Sequence, residues 1–260
     1  MPYIFRPDGC SLYHELHGRE DASRLILLEG LGGDIPGWRR NIPHLAEKHW
    51  VIAYDFRGNG RSDKPDAPVT MSTFVDDTVA LFDDLGVARV HAYGQSFGGM
   101  VGQEMALTHP DRVASLVLAC THAGVRLAAR VEPPSKVPKD KPYLALYSEA
   151  FAREHPDHVA EDILVGSQNP QPPHAARRQW EAIQAWDAWG RLRDIGCPTL
   201  VVHGTEDRLI SPRNARMLAE RIPGATVVLL EGAGHLYHSE QPEMADHVVL
   251  DFLAKVDRPT

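Results

Sequence analysis

The sequence predicts an α/β protein: a mostly parallel sheet of about eight strands flanked by helices. Three observations predict it. Six short runs rich in Val, Leu and Ile recur along the 260 residues with little polar alternation, as strands buried on both faces require. Helical stretches lie between them, and strand–helix alternation closes through right-handed crossovers. The first residues differ, because two short strand-like runs flank Asp8-Gly9. That is a hairpin signal, and it puts an antiparallel pair at one edge of the sheet.

The elements follow in chain order. "YIFRPDGCSLYHELHG" (3–18) supplies the hairpin. The buried runs are "LILLE" (25–29), "WVIAYD" (50–55), "VHAYG" (90–94), "ASLVLAC" (114–120), "TLVVHG" (199–204) and "TVVLLEG" (226–232). "STFVDDTVALFDDL" (72–85) places Phe74, Val75, Thr78, Leu81, Phe82 and Leu85 on one helical stripe. Asp76, Asp77, Asp83 and Asp84 fall opposite and read as a solvated face rather than a metal cluster. A further helix begins within "AYGQSFGGM" (92–100) and runs to about Thr108, where Pro110 stops it.

The rhythm breaks from residue 122 to 195, where no buried-strand run occurs. That segment opens on the proline-rich "VEPPSKVPKDKP" (131–142), which continues neither a helix nor a ladder. Helical stretches follow, including "HAARRQWEAIQAWDAWGRL" (174–192). The expected organisation is a core of residues 1–121 and 196–260 interrupted by a helical cap of residues 122–195. The cap holds three of the five tryptophans, Trp180, Trp186 and Trp189. They form either its own small core or a wall of a pocket beneath it.

Composition narrows the partners. A net charge of −8, offset by no basic run, since Arg177-Arg178 is only a pair, argues against nucleic acid and against an anionic membrane surface. "MPYIFRPDGC" has no apolar signal-like stretch, and no run approaches the ~20 apolar residues of a membrane span. Cys10, Cys120 and Cys197 are odd in number, widely spaced and without C-x-x-C. They suit neither a disulfide framework nor zinc, and the expectation is a cytoplasmic protein.

The chemistry concentrates at Gly94-Gln95-Ser96-Phe97-Gly98, a G-x-S-x-G pattern between a buried strand and a helix. A sharp strand-to-helix turn needs small flanking residues, and it presents the serine hydroxyl beside the helix's free N–H groups. Gly98, Gly102 and Ala106 recur every four residues and let that helix approach the sheet closely. A serine hydroxyl needs a base, and the base needs an orienting group. "VVHGTEDRLIS" (201–211) places Asp207 just beyond one buried strand, and "LLEGAGHLYHSEQP" (229–242) places His235 just beyond the last.

With the order Ser…Asp…His, the chain resembles the α/β-hydrolase fold family with a helical cap. The resemblance covers nearly the whole length, most specifically at "GQSFGG", "GTEDRLIS", "GAGH" and "DFRGNGRSDKP" (55–65). It implies that Ser96 is the nucleophile. It selects Asp207 over Glu206 by the Gly-x-x-Asp spacing from Gly204, and His235 over His238 by Gly-x-Gly-His. His14, His17, His155 and His158 are left as surface or structural histidines. The oxyanion hole would use the backbone N–H of Phe97 and, from the loop "EGLGGD" (29–34), that of Leu31. Two residues depart from the family pattern: Glu29 stands where a His usually precedes the glycine, and Gln95 where a His often precedes the nucleophile.

The activity implied is hydrolysis of carboxylic esters or small lactones through an acyl-enzyme, with no metal or organic cofactor and a small-molecule substrate. "GLGG" (30–33) and "GAGHLYHSEQP" are most similar to the 3-oxoadipate enol-lactonase and carboxylesterase group. Carbon–carbon bond hydrolases often carry Trp after the base, where this chain has Leu236. A cofactor-free haloperoxidase (perhydrolase) activity would use the same three residues. A non-enzymatic small-molecule receptor that retains them is the reading from another class. Tyr147, Trp180 and Trp186, with Leu209 and Leu236, are the expected pocket residues.

Overall fold

The apolar runs become strands because each is buried on both sides of one sheet. In the computed structural model, which describes residues 2–131 and 140–258, the strands are β1 (Tyr3–Phe5), β2 (Ser11–His17), β3 (Arg24–Leu28), β4 (Trp50–Tyr54), β5 (Val90–Gln95), β6 (Val113–Ala119), β7 (Thr199–Gly204) and β8 (Thr226–Leu230). The α-helices are α1 (Ile42–Ala46), α2 (Met71–Asp84), α3 (Phe97–Thr108), α4 (Glu149–Glu154), α5 (Pro156–Gly166), α6 (Pro173–Ala185), α7 (Arg213–Ala219), α8 (Tyr237–Glu240) and α9 (Pro242–Val256). The strands form one sheet in the order β1-β2-β4-β3-β5-β6-β7-β8. β1 pairs antiparallel with β2 and β2 antiparallel with β4, and every other pairing is parallel. The edge hairpin and the mostly parallel sheet are as the sequence predicts.

Alternate residues of each strand feed two apolar layers. Ile26, Leu28, Ile52 and Tyr54 join Phe74 and Phe82 of α2 and Phe97 and Val101 of α3. Leu25, Leu27, Val51 and Ala53 join Leu45 of α1 and Val249 and Leu253 of α9. Helix α2 starts at Thr70, whose side chain and Thr73 cap each other reciprocally. Between β6 and β7 the described residues carry α4, α5 and α6 and no strand of the sheet. Residues 132–139 of the proline-rich opening lie outside the described residues. No helix among the described residues is long and apolar enough to cross a membrane.

Three local expectations are corrected. Asp77 is not on the solvated face of α2: it is buried, and its carboxylate accepts from Arg57 at 2.5 and 2.8 Å and from Arg6 at 2.9 Å. A buried carboxylate needs such partners, and both arginines come from outside the helix. The helix expected over 174–192 ends at Ala185. Trp186 turns extended there, and Asp187 bridges to Gly124. Trp186 and Trp189 join the main core cluster rather than forming a separate one.

Candidate active site

Strand β5 ends at Gln95, and α3 begins at Phe97. Ser96 between them has φ 52° and ψ −111°, a region that non-glycine residues occupy only under constraint. The constraint is visible. Ser96 N–H donates to Ala119 O at 2.8 Å, and the Thr121 hydroxyl donates to Ser96 O at 2.7 Å. Gly98 must lack a side chain, because a Cβ there would sit 2.0 Å from Leu28 O. The glycine spacing of the motif thus lets α3 pack onto β3 and leaves the serine at the turn.

Asp207 and His235 come from the loops after β7 and β8. His235 Nδ1 lies 2.8 Å from Asp207 Oδ2. An ionised carboxylate only accepts, so the ring proton sits on Nδ1. The other oxygen, Oδ1, accepts from the N–H groups of Leu209 and Ile210, each at 2.9 Å. His203, buried in β7, puts Nε2 3.0 Å from Asp207 Oδ2 and 2.9 Å from Ile210 O. Burial alone would raise the Asp207 pKa; His235 and His203 outweigh it and hold it well below the usual carboxylate range. The loop before His235 is fixed in turn: Glu240 Oε1 accepts from Gly234 N and from Ser148 N, each at 3.0 Å. A Cβ on Gly234 would meet Ser148 N at 2.3 Å.

Cys120, His203 and Asp207 also bring potential ligand atoms within 4.8 Å of one another. The donor set does not suit a cation. Both Asp207 oxygens already accept hydrogen bonds, and burial pushes the Cys120 thiol well above its ordinary range. The cluster is a hydrogen-bonded support for the carboxylate.

The loop after β3 wraps the Glu29 side chain. Glu29 Oε1 accepts from Gly30 N at 2.9 Å, and a Cβ at Gly33 would strike Glu29 Cγ at 2.3 Å. Asp55 anchors the far end, accepting from Ile35 N at 2.8 Å and Arg61 N at 2.7 Å. Among the described residues neither Leu31 N–H nor Phe97 N–H donates to a protein acceptor. Burial, with Asp34 and Asp55 nearby, pushes the Glu29 pKa up to about 8.

A cavity of about 790 Å³ gathers these groups. Ser96, His235, Leu31 and Phe97 all line it, as do Tyr147, Trp180, Leu209 and Leu236. Asp207 stands behind His235, outside the lining. Trp186 does not line it: the indole is buried in the core and donates to Glu104 at 2.7 Å. Trp180 is 52% exposed, with one part on the cavity wall. Tyr147 is held by a 3.0 Å hydrogen bond to Asp162 on α5. Among the described residues Ser96 and His235 are not joined by a hydrogen bond; such bonds in ligand-free sites often tighten only with substrate.

A family model described as "alpha/beta hydrolase fold" matches residues 23–153 and 167–242. The chain belongs to the α/β-hydrolase fold family. A relative from Variovorax paradoxus (strain S110), named "Putative carbamate hydrolase RutD", is 32% identical over 95% of this chain and 98% of its own. A solved hydrolase from Pseudomonas aeruginosa PA01 is 30% identical, with TM-score 0.86 over 96% of this chain and 97% of that one. The enol-lactonase from Burkholderia xenovorans LB400 is 27% identical, with TM-score 0.86 over 97% and 100%.

Within this α/β-hydrolase, four site residues escape a reading by motif. His203 carried one signal, its i,i+4 spacing to Asp207, but the contact depends on how the β7 loop turns back. Glu29 was visible only as a departure from the family pattern. His122 and His238 both line the cavity, and nothing local to either announces it. Burial lowers the pKa of His122 to about 4 and that of His238 to about 3. Of the histidines expected to be structural, His158 meets Ser239 at 2.9 Å, whereas His14 is buried with Nδ1 unpartnered among the described residues.

Proposed function

We propose that this α/β-hydrolase cleaves carboxylic esters or small lactones with Ser96 as nucleophile, His235 as base and Asp207 as the group that orients it. One observation carries it: a strained serine and an aspartate-paired imidazole line the same cavity. With its proton held on Nδ1 by Asp207, the ring offers Nε2 to the serine. As Oγ attacks the carbonyl carbon, the proton passes to His235. The carbonyl electron pair moves onto oxygen, which accepts from the Leu31 and Phe97 N–H groups. The bond to the alcohol then breaks, and His235 returns the proton to the leaving oxygen. Water repeats the sequence on the acyl-enzyme and frees the acid. No step calls for a metal or organic cofactor.

Residues 122–195 act in this proposal as a cap that bounds the acyl site, with Tyr147 and Trp180 on the wall. Labelling with a fluorophosphonate and turnover of a p-nitrophenyl ester test the assignment together. Both should vanish in Ser96→Ala. Labelling of another serine, or a fully active Ser96→Ala, overturns it. The relatives' name favours a second reading, carbamate hydrolysis. The same attack serves a carbamate carbonyl, so kcat/KM on an ester, a lactone and a carbamate sharing one leaving group separates the two. A clear preference for the carbamate decides for the second reading.

A further inference from the structure

His122 follows β6, lines the cavity with Ser96 and His235, and is nine-tenths buried. Its Nδ1 lies 3.1 Å from the backbone N of Gly124, which donates to it. A backbone N–H can only donate, so Nδ1 must be the acceptor and the ring proton sits on Nε2. That segment is pinned from outside. Ala188 N donates to Ala123 O at 2.8 Å, the Trp189 indole donates to Gly124 O at 2.8 Å, and Gly124 bridges to Asp187. Gln103 adds a 3.2 Å bond to the His122 carbonyl. Nε2 has no partner among the described residues, and it is not among the buried orphan atoms. The N–H is therefore open to the cavity.

We propose that His122 is a specificity-determining donor whose Nε2–H binds an acceptor oxygen, ether, carbonyl or carboxylate, carried by the substrate beside the scissile carbonyl. This rests on the hydrolytic reading of the same cavity. The physical reason is asymmetry. An N–H left without a partner in a desolvated site carries a penalty, so a substrate that supplies an oxygen there outruns one that supplies a methylene. Burial and the nearby His203 and His235 keep the ring neutral near pH 7, so it acts as a neutral donor and not as a cation.

The experiment compares butyrate esters with methoxyacetate esters, in which an oxygen replaces one methylene. Their intrinsic reactivities differ, so the quantity read is the ratio of the two substrates in each protein, compared between proteins. His122→Asn keeps an acceptor for the Gly124 N–H and removes the donor into the cavity. His122→Gln keeps a donor. The methoxyacetate-to-butyrate ratio of kcat/KM should fall about fivefold in His122→Asn and recover in His122→Gln. Binding is read separately on Ser96→Ala with the methyl esters of the same pair, followed by NMR titration. There the oxygen-bearing ester should bind about fivefold tighter, and adding His122→Asn should erase the difference. If wild type turns over neither ester but Ser96→Ala retains that binding preference, the hydrolytic reading fails and the donor stands. Equal ratios in wild type and His122→Asn, equal affinities for the two esters, or a His122 ring protonated on Nδ1 in long-range 1H–15N spectra would each overturn the proposal.

Discussion

Glu29→Gln isolates the cost of burying a carboxyl inside the loop that presents Leu31. Glu29 is 6% exposed, and its Oε2 has no partner among the described residues. The groups that act on it are the Gly30 N–H, the Trp38 indole, and the acids Asp34 and Asp55. Burial raises its pKa from 4.5 to about 8. Between those values the unfolded chain releases the proton and the folded chain keeps it. The folded state then binds the extra proton, so stability falls as pH rises and levels off above about 8. At ~1.4 kcal/mol per tenfold, the penalty is about 1 kcal/mol at pH 5 and about 5 kcal/mol at pH 8.5. Glutamine keeps an oxygen for the Gly30 N–H and cannot ionise. Urea unfolding of both proteins at the two pH values cancels every other titrating group. Glu29→Gln should gain about 4 kcal/mol on wild type between pH 5 and 8.5 as an upper figure. A wild-type-to-variant difference that stays constant within ~0.5 kcal/mol across that range would refute the placement of the carboxyl, since an exposed Glu gives no such slope.

Three further outcomes are expected. Ser96→Ala and His235→Ala should each lower kcat on a p-nitrophenyl ester by several orders of magnitude, and the double variant by little more, because the pair acts as a unit; additive losses would separate their roles. Trp180→Ala should extend the acyl chain accepted past about eight carbons, whereas Trp186→Ala should lower the unfolding free energy by about 3–5 kcal/mol and leave the chain-length profile alone. A profile shift for Trp186 and none for Trp180 would reverse the cavity assignment. Asp77→Asn strips a buried guanidinium of its main partner and should cost about 3–5 kcal/mol in urea unfolding. A loss under ~1 kcal/mol would mean that Arg57 finds a substitute.

Much of this molecule is local, and local patterns are what a sequence carries. The runs at 25–29, 50–55 and 199–204 read as strands because a doubly buried strand must be apolar throughout. Gly94 and Gly98 announce the Ser96 turn because backbone crowding there forbids a side chain. Asp207 and His235 stand just beyond two such strands, and the resemblance to the family, through Gly-x-x-Asp and Gly-x-Gly-His, is what selects them over Glu206 and His238. What the sequence could not carry was the identity of neighbours from other elements. Asp77 has the helical phase of a solvated residue, and its burial depends on Arg57 and Arg6 arriving from distant segments. Trp180 and Trp186 are alike in type and sit six residues apart. One lines the cavity and the other enters the core because α6 ends at Ala185 and Asp187 is drawn to Gly124. The tautomer of His122 is a tertiary property in the same sense. It depends on one backbone N–H held in place by Trp189 and Ala188, and no spacing along the chain encodes which ring nitrogen that N–H will meet.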